Sequence, residues 1–300
     1  MKTIALKFGG TSMADASQIR EVTAIIKQSQ HRRYVVVSAP GKRSPDDTKV
    51  TDLLYQCYNA AVNGEDFEPA LGKIRERFAE IIRDLELNFD LESEIETIRK
   101  HLQVSPEKDY MASRGEYLSA KVFACHLGYK FIDAADYIHF NENGTLNLQK
   151  TKEDLKKVLT VTFRAVLPGF YGSLPNGKIH TFSRGGSDVT GSIVARAVHA
   201  DIYENWTDVS GMMAADPRIV ENPRQIRIIT YRELRELSYM GATVLHEDAV
   251  FPVQQANISI NIRNTNDPED PGTSSSRICR KMPTRAASPA SPGTRASAPS

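Results

Sequence analysis

The sequence predicts an α/β fold in which a mostly parallel sheet carries helices on both faces. Short, apolar, β-branched segments alternate with amphipathic helical ones, as parallel crossovers require. Two glycine-rich loops fall where a strand ends and where a helix begins, the places at which such sheets bind ligands. The strand segments are Thr3–Phe8, Tyr34–Ser38, Lys130–Asp133, Ala165–Pro168, Ile179–Phe182, Asp201–Asn205 and Ile258–Arg263. A first helix, capped by Ser17 or Asp15, places Ile19, Val22, Ile25 and Ile26 on one face. Further helical segments are Val50–Ala61, Pro69–Leu87, Leu91–His101, Glu116–His126, Lys152–Val158, Val189–Val198, Tyr231–Tyr239 and His246–Gln255. Residues 62–112 hold helices only and predict an insertion beside the sheet. An ordinary helical subdomain is the plain reading; a lid over the site or a homodimer surface is the functional one.

Composition sets bounds on function. The 300 residues suffice for one large α/β domain or two of ordinary size, and 40% apolar content supports a real core. The net charge of +1 hides an asymmetry, because residues 273–300 carry five basic and no acidic residues. The remainder has 33 basic against 37 acidic residues, which gives nucleic-acid binding no support. Of the last 28 residues, 20 are Ser, Thr, Ala, Pro or Gly, so disorder is expected from Thr273 onward. No run approaches the 18 or so apolar residues of a membrane span. Cys57, Cys125 and Cys279 show no metal-binding spacing. With no signal-like N-terminus, these features predict a cytoplasmic protein.

The chemistry gathers at the two loops. Lys7-Phe8-Gly9-Gly10-Thr11-Ser12 follows an apolar strand, so backbone N–H groups and a lysine meet at one strand end. Ser183-Arg184-Gly185-Gly186-Ser187-Asp188 opens a helix. A lysine on one loop, with an arginine and an aspartate on the other, describes a site that handles phosphate. Neither loop matches GxxxxGK[ST] or GxGxxG, so a P-loop and a dinucleotide fingerprint are excluded. The bland alternatives are a Lys7 that snorkels from a sheet edge and a Ser187 or Asp188 that merely caps its helix. Functionally, Arg184 would clamp a carboxylate and Asp188 would organise the lysine and the phosphates. Ser113-Arg114-Gly115-Glu116 reads as another helix start, with Glu116 either favourable to the dipole or the acceptor of a substrate ammonium. Thr51 can offer a hydroxyl to the same substrate. Trp206-Thr207-Asp208-Val209-Ser210-Gly211, leading to Asp216-Pro217-Arg218, suits a nucleotide pocket, or a turn with Trp206 in the core. His246 is a candidate base that the chemistry does not need.

In order, KFGGTS, SAPGKR, SRGE, FSRGGSD, WTDVSG, DPR and GATVLH resemble the catalytic domain of aspartate kinases, in the amino-acid kinase family, over roughly residues 1–272. The resemblance implies a three-layer α/β/α sandwich and transfer of the ATP γ-phosphate, with Mg2+, to the side-chain carboxylate of L-aspartate. The product would be 4-phospho-L-aspartate, on the way to lysine, threonine and methionine. It implies Lys7 and Asp188 as the catalytic pair, and Thr51, Glu116, Arg184 and Ser187 as aspartate contacts. Gly9, Gly10, Ser12, Thr207, Asp208 and Arg218 would serve ATP, with no metal-ligating residues of the protein's own. Two departures stand out. Thr243 replaces a lysine that contacts nucleotide in many members. After Asp267-Pro268-Glu269-Asp270-Pro271-Gly272-Thr273 the paired ACT domains of the family are not seen, so activity insensitive to lysine and threonine is expected. A relative acting on glutamate, acetylglutamate, carbamate or a nucleoside monophosphate, and a truncated remnant that only binds ligand, are the alternatives.

Overall fold

The computed structural model describes residues 2–183, 185–216, 219–240 and 244–276. An eight-stranded sheet runs through the molecule in the order β10-β12-β11-β7-β1-β2-β4-β3. Its strands are β1 (Ile4–Phe8), β2 (Arg32–Val37), β3 (Lys130–Phe131), β4 (Ala165–Pro168), β7 (Ile202–Thr207), β10 (Ile228–Thr230), β11 (Ser259–Asn264) and β12 (Thr273–Ser276). All pairings are parallel except β11 with β12. Two small antiparallel ribbons stand apart from it, β5 (Tyr171–Ser173) with β6 (Ile179–Thr181), and β8 (Met212–Met213) with β9 (Gln225–Ile226).

Alternation along the strands sorts the helices into two layers. Leu6, Phe8, Val35, Val37 and Trp206 face one core, against α1 (Ala16–Lys27), α2 (Val50–Asn63), α3 (Glu68–Asp84), α4 (Leu91–Val104) and α5 (Lys108–Leu127). Ala5, Tyr34, Val36 and Tyr203 face the other, against α6 (Ala134–Tyr137), α7 (Leu148–Val161), α8 (Gly186–Ala197), α9 (Tyr231–Tyr239) and α10 (Val250–Ala256). This is the expected three-layer α/β/α sandwich. Asp15 caps α1 by accepting from the Gln18 N–H at 2.9 Å. Residues 62–112 contain only helical elements and the turns between them.

Several expectations need correction. Lys7 is not at a sheet edge, since β1 lies between β2 and β7. Glu116 is not in a first turn, because α5 begins at Lys108. That helix is buried on most sides from Met111 to Glu116, so it shows no amphipathic period to mark its start. Gly115 sits mid-helix because a Cβ there would come 2.7 Å from the Ala39 Cβ. The Ile179–Phe182 segment forms a ribbon with β5 instead of joining the main sheet. The boundary at 272 is also too early: Thr273–Ser276 is β12, inserted between β10 and β11. Serine and threonine there are pinned by specific hydrogen bonds, which composition cannot reveal.

Thr273 shows the pinning most clearly. Its Oγ1 accepts from the Met212 N–H at 2.8 Å and donates to the Ile226 carbonyl at 2.5 Å. Gly211, at φ +89°, leaves room for that hydroxyl. Thr273→Ala strands both backbone groups and should cost about 1–3 kcal/mol in urea unfolding. Thr273→Ser, which keeps the hydroxyl, should lose clearly less; equal losses would mean the hydroxyl is idle.

Candidate active site

The strands β1, β2, β4, β7 and β11 end on one rim of the sheet. Phe8 pairs with Val37 and Trp206, Val37 with Pro168, and Asn264 with Thr207. The loops that follow therefore meet there. The Gly9 N–H donates to the Trp206 carbonyl at 3.1 Å, and the Gly41 N–H to the Gly10 carbonyl at 2.8 Å. A Cβ on Gly10 would lie 2.9 Å from the Ala39 carbonyl oxygen, so only glycine fits between these two turns.

Lys7 and Asp188 converge on this rim. Lys7 Nζ lies 2.7 Å from Asp188 Oδ1, with both side chains nearly buried. Asp188 comes from the first turn of α8, whose N-cap is Gly185 in the left-handed region, φ +56°. No side chain caps this helix, so the capping role for Ser187 or Asp188 falls away. Gly185 is demanded by its neighbour as well, since a Cβ there would meet the His246 Cβ at 2.2 Å. Asp188 Oδ1 also accepts from Asn205 Nδ2 at 3.0 Å, and Oδ2 accepts from the His246 N–H at 3.2 Å. Three donors thus fix one carboxylate. His246 contributes its backbone, not its imidazole, to this arrangement.

Ser187 packs against the end of β4, where a Cβ on Gly169 would come 2.5 Å from its Oγ. Glu116 reaches the same rim from α5, beside α2. The Cβ of the preceding Gly115 would lie 3.2 Å from Leu54 and 3.5 Å from Val50, next to Thr51 in the first turn of α2. Glu116 Oε2 is buried with no hydrogen-bond partner among the described residues. Burial pushes the Glu116 carboxyl up to about 8, against the opposing pull of the Ala39 N–H and of Arg114. A buried carboxylate with an open acceptor is a receptor for a cation.

The remaining predicted residues divide. Thr207 Oγ1 donates to Asp208 Oδ1 at 3.2 Å at the end of β7. Ser12 is bonded through its hydroxyl to Thr265 Oγ1 at 2.7 Å, which ties the glycine loop to the end of β11. Ser12 and Asp208 share a polar cavity of about 250 Å³ with Thr11, Asp15, Lys42 and Asn266. Arg184, Arg218 and Thr243 lie outside the described residues. Sequence reasoning missed Asn205, a polar residue inside an apolar strand, and Arg77, whose Nη1 donates to the Gly41 carbonyl at 2.9 Å. It also missed the backbone roles of Ala39 and Gly41, although SAPGKR was recognisable as a motif.

The amino acid kinase family pattern matches residues 2–264. The chain belongs to this family. Aspartokinase 3 of Bacillus subtilis is 39% identical over 289 residues, covering 89% of this chain and 62% of the relative. Among solved structures, Clostridium acetobutylicum aspartate kinase aligns with a TM-score of 0.88 at 48% identity, over 94% of this chain and 64% of that one. Escherichia coli aspartokinase III, in complex with aspartate and ADP, aligns with a TM-score of 0.82 at 27% identity, over 93% and 66%. The chain spans somewhat less than two thirds of these relatives.

Glu116 makes stability depend on pH. Its folded value of about 8 lies above the ordinary 4.5, so its favourable contribution is complete below pH 4.5. It is lost progressively as pH rises through that window to about 8. Glu116→Gln should therefore gain thermal stability relative to the parent between pH 5 and pH 9, read by calorimetry; a constant difference across that range would contradict the assignment.

Proposed function

We propose that this chain is an aspartate kinase catalytic unit, which transfers the ATP γ-phosphate to the side-chain carboxylate of L-aspartate. The observation that carries this reading is the 2.7 Å Lys7–Asp188 pair at the rim, beside Gly9, Gly10 and the open Glu116 oxygen. Relatives named as aspartokinases, one of them solved with aspartate and ADP, support the choice of substrate within the family.

Lys7 and the loop N–H groups of Gly10 and Thr11, rather than those of Gly9 and Ser12 that bond to Trp206 and Gly9, face the phosphates and offset charge that spreads over the transferring group. Asp188 holds the ammonium where it can do so. Glu116 takes the substrate ammonium, Thr51 and Ser187 add hydroxyls, and Arg184 takes a carboxylate. Thr207 and Asp208 would give the nucleotide polar contacts and Arg218 would serve its phosphates, while Ser12 supports the glycine loop from behind. A side-chain carboxylate has a pKa near 3.9, so the nucleophile is already ionised at neutral pH and needs no general base. One of its oxygens bonds to the γ-phosphorus as the bond to the β–γ bridging oxygen breaks. ADP leaves with the electron pair, and the product is the acyl phosphate 4-phospho-L-aspartate. Positioning and charge neutralisation supply the rate enhancement.

Among the described residues no group of three His, Cys, Asp or Glu side chains could hold a metal ion. Mg2+ belongs to this reading as the counter-ion that the nucleotide brings, neutralising part of its charge. Among the described residues no helix is long and apolar enough to cross a membrane.

Acyl phosphate trapped as hydroxamate, with ATP and a panel of aspartate, glutamate and acetylglutamate, tests the assignment. Aspartate should be the acceptor, and Lys7→Met or Asp188→Asn should lower kcat by about 100- to 1000-fold. Turnover on glutamate alone would refute it. Because an ionised Glu116 binds the ammonium better, KM for aspartate should fall as pH rises through about 8. Glu116→Gln should flatten that profile and raise KM above about pH 8, where the parent is ionised; a parental KM insensitive to pH would remove Glu116 from the site.

A further inference from the structure

Asn205 is the direct cross-strand neighbour of Lys7 in the β1–β7 register. It points to the α8 side of the sheet and has 0% of its surface exposed. Its Nδ2 donates to Asp188 Oδ1 at 3.0 Å, the same oxygen that receives Lys7. Its own Oδ1 is buried with no partner among the described residues. Apart from Lys7 and Asp188, its neighbours on this face are aromatic or aliphatic, with Tyr203 two residues earlier and Ile260 and Ile262 on β11.

We propose that Asn205 is a positioning residue for the Lys7–Asp188 pair, acting on turnover and not on substrate affinity; this rests on the phosphoryl-transfer reading above. An unsatisfied buried amide oxygen costs about 1–3 kcal/mol. An aliphatic side chain of similar volume would complete the apolar face without that cost. Strand position, burial and the β11 neighbours favour leucine or isoleucine, and only the contact with Asp188 calls for a polar residue here. Such conflicts between local stability and residue choice concentrate at functional sites.

The amide supplies what the ion pair needs during transfer. At rest Asp188 Oδ1 is neutralised by the ammonium, with the Asn205 amide alongside. When the ammonium turns its hydrogens to the phosphates, the Asn205 N–H remains on Oδ1, and the His246 N–H remains on Oδ2. The carboxylate then stays in place and the lysine stays anchored to it. Leucine at 205 would leave Oδ1 with the ammonium as its sole donor from this set, so the lysine would have to choose between anchor and phosphate.

The test uses the whole chain with Asn205→Leu and Asn205→Asp, reading kcat, both KM values and the unfolding temperature. Asn205→Leu removes the unpaired amide oxygen but also takes a donor from Asp188, so the unfolding temperature should change little and both KM values hold within about threefold, while kcat falls about 10- to 100-fold. Asn205→Asp keeps the shape but sets a second carboxyl against Asp188, where repulsion or a single shared proton replaces the amide donor, so its kcat should fall at least as far. A folded Asn205→Leu with kcat within about threefold of the parent overturns the proposal. So does a loss of activity that merely follows a lowered unfolding temperature. Should the leucine variant fail to fold, an unchanged kcat in Asn205→Asp overturns it equally. Kinetics are taken with whichever acceptor the parent phosphorylates. Turnover on an acceptor other than aspartate sinks the aspartate reading and leaves the Asn205 test intact; a parent with no turnover on any acceptor sinks both.

Discussion

An ammonium that ends the central strand and a carboxylate in the first turn of α8 hold each other at 2.7 Å, and the architecture of the rim follows from that contact. Charges this far from water are tolerated only when their remaining hydrogen-bonding capacity is met. The sheet register puts Asn205 beside Lys7, and the left-handed Gly185 lets the 246 segment close on α8. The glycines of the first loop keep the opposite side clear of side chains. Each of these features has a separate origin in the sequence, yet all converge on one oxygen pair. A site of this kind is preorganised by the fold and needs little rearrangement of its own groups to neutralise a polyanion.

The helical insertion joins this arrangement through backbone. Arg77 of α3 is buried, donates to the Gly41 carbonyl, and pairs with Asp47, whose carboxyl is driven far below the usual range by Arg43 and Arg77 despite the cost of burial. Gly41 in turn donates to Gly10, and the nearby Ala39 N–H faces Glu116. One short turn after β2 therefore touches the first glycine loop, Glu116 and the insertion. Residues 62–112 do more than lie beside the sheet: they brace the turn that spaces the two halves of the site.

Much of this was legible in the sequence, for a physical reason. Strands β1, β2 and β4 announced themselves as largely apolar runs, as buried parallel strands do, β7 and β11 by β-branched and aromatic residues among polar ones, and the two glycine loops because only glycine allows such close backbone approach. Lys7, Gly9, Gly10, Asp188 and Glu116 were singled out by residue type and position, and the structure brings Lys7 and Asp188 into contact. What escaped was structure defined by partners. The start of α5 carried no period because its first turns are enclosed. Strand β12 was hidden in low-complexity composition, held by Thr273 and Ser275 hydroxyls that look like any others. Asn205 was indistinguishable from a polar strand residue until its cross-strand neighbour was known. Non-local pairing, not local propensity, decided all three.

The position of β12 also constrains the order in which the sheet can be completed. Strand β10 is made about 45 residues before β12, yet among the described strands its only partner in the large sheet is β12. Until residue 276 is available, β10 has no strand partner in the large sheet among the described residues, while β1, β2, β4, β7 and β11 can already pair and α9 can already pack beside α10 through Tyr231 and Leu234. Synthesis therefore leaves one flank unzipped until its last stitch arrives, and during that interval an apolar edge is exposed to whatever else is in the cell.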